Sequence, residues 1–271
     1  MKNLVYVLFS IPLLLFSCNA YVSEKDIVEN ESIKNVERSN LVNHSKRSIT
    51  TKYKVPNGFK RVNPKEPFGI FLNNIPLKSD QAKVKLFDGS HKTESESYVG
   101  ILDLPLIKSD NQKLTNLIYR LRAEYFFKEK KYKELDLLSK NLEDTLKYSK
   151  YPKQDHSHTV FLKYIDDLLN KTTPNSIITF LKPISIKDIQ IGDVLIQQST
   201  FKSNAVIVMD LAENEKNEKL AILAYSPEPS QDIQIISNLS NPAISPWYSM
   251  EENVILTPEW RFLPTDAMRF D

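Results

Sequence analysis

The chain has 271 residues, with 36 Lys and Arg against 34 Asp and Glu, for a net charge of +2. Charges mixed this evenly leave no basic face for nucleic acid, and five glycines and one cysteine exclude a glycine-rich phosphate loop and an intrachain disulfide. With 41% hydrophobic residues, a chain of this length can bury the core of one large domain or two small ones.

Lys2 precedes an apolar stretch from Leu4 to Phe16, too short to span a bilayer and right for the core of a signal peptide. It ends in Leu15-Phe16-Ser17-Cys18, which resembles the lipobox of bacterial lipoproteins. Residues 1–17 are therefore expected to be a lipoprotein signal peptide, with Cys18 carrying acyl chains such as palmitate and holding the protein to a membrane of the cell envelope. The alternative is secretory cleavage after Ala20, which removes Cys18. From Asn19 to about Arg47 the composition is polar and mixed in charge, so residues 18–48 read as a tether, and 49–271 as a single folded domain.

The domain opens with alternating residues near "ITTKYKV" and a turn at Pro56-Asn57-Gly58, then "FGIFLNNIPL", either helical or extended. "KVKLFDGSHK", which contains the turn dipeptide Asp88-Gly89, and the following "SYVGILDLPL" predict a hairpin. From Ser109 the period becomes helical: Leu114, Leu117, Ile118, Leu121 and Tyr125 share a face, and Ser109 with Gln112 reads as a capping box for a helix to about Lys130. "YKELDLLSKNLEDTLKYS" and "TVFLKYIDDLLNK" predict two more helices. After Ile191 the runs "GDVLIQQ", "AVIVMDL", "LAILAYS" and "DIQIIS" predict antiparallel strands, and Trp247 and Trp260 read as packing anchors in an irregular tail. The whole is an α+β domain, its helices packed on an antiparallel sheet between Ile191 and Ile236.

Several runs, in order "PNGFKRV", "IPLKSDQAKVKLFDGSHK", "RLRAEYFF", "IGDVLI", "AVIVMDLA", "SPWY" and "TPEWRF", resemble a bacterial family, domain of unknown function 4846, over roughly Ile49 to Asp271. The family's pattern looks like that of papain-type, NlpC-class cell-wall peptidases, with a cysteine opening a helix and a histidine opening a strand. The resemblance places the cysteine position on Leu114, the histidine position on Asn204, and an amide position after the next strand on Tyr225. Leucine cannot attack an acyl carbon, and an amide offers no base near neutral pH, so the resemblance implies a papain-like core without its catalysis. Asn204 then reads as a relic of a catalytic position, or alternatively as a polar strand end facing solvent.

Other residues could build a different site. Arg120 and Glu124 are spaced to pair along a helix, while Arg120, Arg122 and Asp210 are candidates to line a cleft, an arginine suiting a loop carbonyl or a substrate carboxylate. Asp155, His156 and His158 bring metal-ligand types together, yet in a polar loop with no further ligand motif, so no metal and no cofactor is expected. His44 falls in the tether and His91 beside the Asp88-Gly89 turn. Two functions follow: an inactive peptidase-like envelope domain, a pseudoenzyme binding a wall peptide, glycan or partner protein, or an envelope hydrolase built on Asp155, His156 and His158 or Asp210.

Overall fold

The computed structural model describes residues 41–93, 95–112, 114–139, 146–151, 155–198 and 203–271. The signal peptide, Cys18 and residues 18–40 of the tether lie outside them. No helix among the described residues is long and apolar enough to cross a membrane.

The architecture is α+β, with an antiparallel sheet at its centre. Its spine is the hairpin of β5 (Asn204–Asn214) and β6 (Lys219–Tyr225). β5 is buried from Asn204 to Ala212, which is why its sequence runs apolar without alternation: both of its faces are covered. The nine-stranded sheet has the order β2 (Tyr98–Ile101), β7 (Gln234–Ile236), β6, β5, β4 (Val194–Gln197), β11 (Ala267–Phe270), β3 (Leu181–Pro183), with β1 (Phe59–Arg61) also on β5 and β8 (Trp247–Ser249) also on β6. β9 (Ile255–Leu256) and β10 (Arg261–Phe262) make a separate ribbon. The tail is thus not irregular, since it supplies two strands of the main sheet. Trp247 is fully buried and donates its indole N–H to the Lys54 carbonyl at 2.8 Å.

Helices follow the apolar period where tertiary contacts allow it. α1 (Ile49–Lys52) replaces the extended segment that alternation suggested, and α2 (Pro67–Asn73) starts with proline at its first turn, where a missing N–H costs nothing. α3 (Asn116–Lys128) buries Leu117, Ile118, Leu121 and Tyr125 as spaced, but begins seven residues after Ser109. Ser109 instead donates to Asp166, and Gln112 donates to the Gln231 carbonyl at 3.1 Å, so neither side chain is free to cap. α4 (Tyr132–Leu137) covers the first part of its predicted stretch; residues 140–145 are outside the described set. α5 (His158–Lys171) packs Phe161, Tyr164, Ile165, Leu168 and Leu169 inward, with the Ser157 hydroxyl accepting from the Val160 amide at 3.4 Å. α6 (Pro174–Ile178) opens with a reciprocal Thr173–Ser176 capping box.

Two expectations change. The hairpin around Asp88-Gly89 shrinks to a tight turn with one bridge between Lys85 and His91, because β2 pairs with β7 instead. The tether, expected to lack contacts, is attached at its end. Leu41 accepts from the Lys54 amide at 2.7 Å, Val42 bridges Tyr53, and Arg47 accepts from the Leu77 amide at 2.8 Å.

Candidate functional site

Leu114, Asn204 and Tyr225 come to one end of the β5–β6 hairpin. Leu114 directly precedes the α3 cap, and its amide donates to the Ser226 carbonyl at 2.7 Å. Ser226 follows the last residue of β6, and Ile207, three residues into β5, pairs with Ala224. The amide of Leu114 is thereby fixed to the strand beside the one that Asn204 opens. Leu114 has φ 53°, the left-handed region that costs a side chain with a Cβ about 1–2 kcal/mol. Asn204 is buried, 9% exposed, and its Nδ2 has no hydrogen-bond partner among the described residues. Its expected alternative, a solvent-facing strand end, does not describe this position.

Neighbours complete that end of the sheet. Asn204 stands opposite Gln197 in register, so their side chains share a face, and Gln197 Oε1 accepts from the Trp260 indole at 2.8 Å. Tyr225 donates to Glu259 Oε1 at 3.1 Å; burial first, then the Glu259 charge, pushes its phenol well up, so it stays protonated. Glu259 also lies 4.0 Å from Lys92. No sulfur or imidazole sits among these described residues, and Glu259 is the one carboxylate among them, held by the Tyr225 hydroxyl at 3.1 Å.

The three cleft candidates separate. Arg120 is fully buried and wholly committed: it reaches Glu124 at 2.6 and 2.9 Å, Gln112 Oε1 at 2.6 Å and the Pro105 carbonyl at 2.8 Å. It fixes the segment leading into α3. Asp210 is also fully buried, with Oδ2 3.0 Å from Arg61 Nε; the alignment is too poor for a hydrogen bond and both atoms remain without one. Burial raises its carboxyl to about 6, against the pull of Arg61. Arg122 alone lines cavities, of about 460 and 440 Å³.

Asp155, His156 and His158 do not converge. His156 stacks on Tyr132 at 4.2 Å, Asp155 accepts from the Ser157 amide at 2.8 Å, and His158 approaches Glu124 Oε2 at 3.4 Å. No group of three or more metal-ligand side chains occurs among the described residues. Sequence reasoning missed the rings around Arg122. Tyr125 and Phe126, three and four positions on, were readable from helical spacing; Phe68 and Phe270 come from distant segments that carry no local signal.

Comparison with known proteins gives one family. The model of domain of unknown function 4846 matches residues 49–152 and 138–269. No curated protein and no solved structure matches the chain significantly.

Proposed function

We propose that this chain, which belongs to the family of domain of unknown function 4846, is a lipid-anchored envelope protein whose papain-like, NlpC-type core binds a wall peptide, glycan or partner protein without cleaving it. One observation supports the reading: Leu114, held at φ 53° at the entrance of α3, bonds through its amide to Ser226 at the end of the hairpin that the buried Asn204 opens, and Asn204 Nδ2 has no hydrogen-bond partner among the described residues. Strained backbone and an unsatisfied buried amide are both costly, and such features collect where a site exists or existed. The divergence of His156 and His158 counts against a hydrolase built on them.

The test restores what is missing. Leu114→Cys with Asn204→His brings thiol and imidazole to one end of the sheet, and an imidazolium neighbour lowers a thiol pKa. Alkylation by iodoacetamide at pH 7, read at position 114 by mass spectrometry, should then run about tenfold faster than in Leu114→Cys alone. Equal rates in a folded double variant would remove the pairing and with it this reading. Wild type should release no product from wall peptides.

A further inference from the structure

Arg122 is a half-buried arginine with rings where other arginines have carboxylates. Arg61, Arg120 and Arg269 each lie against an acid, namely Asp210, Glu124 and Asp193. The Arg122 guanidinium instead lies over Phe270 at 4.5 Å, Phe68 at 4.7 Å, Phe126 at 4.8 Å and Tyr125 at 5.5 Å. Burial lowers its pKa, and Tyr125 opposes this. A ring attracts the flat face of the cation but takes up none of the N–H groups at its edge in the way an oxyanion does. Those donors are available, in a place already stripped of much of its water.

The cavities meeting at Arg122 show what would use them. Arg122, Phe126, Glu134, Phe270 and Asp271 line both. One cavity adds Lys131 and Arg269, but Lys131 is bonded to the Tyr125 hydroxyl at 2.7 Å and Arg269 to Asp193 at 2.7 and 2.8 Å. With Glu66, Glu134, Asp193 and Asp271 on the same walls, four acids against Arg122, Lys131 and Arg269, no surplus positive charge is left for a dianion such as phosphate. One uncommitted guanidinium matches one planar carboxylate, which it can grip with two parallel bonds. The other cavity is walled by Leu137, Leu138 and Phe180, with Leu137 56% exposed, an apolar surface beside the charge.

We propose that the joined cavities bind a carboxylate with an apolar group attached, the carboxylate on Arg122 and the apolar group against Leu137, Leu138 and Phe180. Two sources present this chemistry: a peptide C-terminus with an aliphatic or aromatic last residue, and a medium-chain fatty acid. The site shares with the reading above only the idea of binding without cleavage. It does not involve Leu114 or Asn204, so either proposal can fail while the other stands.

The full chain in detergent would be titrated calorimetrically with acetyl-Ala-Leu-Phe as the free acid, with the same peptide as its C-terminal amide, and with octanoate. A free acid that binds at least about tenfold more tightly than the amide supports the site, as does loss of about tenfold in Arg122→Gln. The tighter of tripeptide and octanoate identifies the source. Because Arg122→Gln could disturb the rings packed on it, Leu137→Asp on the exposed wall serves as a second variant and should weaken binding about fivefold or more. Three results overturn the proposal: neither acid binding wild type at millimolar concentration, acid and amide binding alike, or both Leu137→Asp and Arg122→Gln binding as wild type does.

Discussion

Two buried acids show how neighbours set the sign of a shift. Burial pushes the Glu124 carboxyl up, but Arg120, with help from His158, outweighs it and leaves the pKa lowered. At Asp210 burial wins over Arg61, and the pKa stands at about 6. An acid whose folded pKa lies above its unfolded value stabilises the fold while protonated. That contribution is complete below about pH 4 and is lost as pH rises through about 6, amounting to about 3 kcal/mol. Asp210→Asn cannot ionise, so urea unfolding of this variant between pH 4 and 7 should lose less stability with rising pH than wild type does. Parallel curves for the two proteins would contradict the shift. The sequence marks Asn204 as out of place in an apolar run, yet burial and a missing partner at that position emerge only when β4, β5 and the β9–β10 ribbon are assembled.

At the scale of elements, period and turn residues locate β4 to β7, α5 and the body of α3, because those segments bury a face through their own spacing. Their ends are another matter. The start of α3 is set by Arg120 holding Pro105 and Gln112, and by Asp166 of α5 receiving Ser109 and Asn111, contacts between residues up to 57 positions apart. No local pattern contains them. β2 shows the same dependence, drawn away from its sequence neighbours to β7 with a register shift between Tyr98 and Gly100. There the backbone passes so close to Tyr53 that a Cβ on Gly100 would lie 2.2 Å from the phenolic oxygen, which itself donates to the Val99 carbonyl at 3.0 Å. Gly100→Ala should therefore cost about 1–3 kcal/mol by displacing the buried ring. A denaturation midpoint unchanged from wild type would show that Tyr53 yields freely.

For the whole molecule, the boundary between tether and domain has a physical position. Low hydrophobicity argues for a free segment up to about Arg47, but pairing of residues 41–47 with Lys52, Tyr53, Lys54 and Leu77 draws that stretch into the fold. On the proposal that Cys18 is acylated, proteolysis of the full chain in membranes should release a resistant fragment that keeps Leu41 and leave acyl label in the membrane fraction. A fragment starting at Ile49, or label that departs with the domain, would count against these assignments. The branched pattern of the sheet has one more effect. β5 is flanked by β4 at its start and β1 at its end, and β6 by β7 at its end and β8 at its start, so each long strand is occupied along both sides. What remains at the margins among the described residues is short: four residues of β2, three each of β1 and β8, and the three of β3, which end in Pro183. A stranger's backbone finds few amides to copy there, and proline offers it none, so crowding many such domains together should not turn them into a template for fibres.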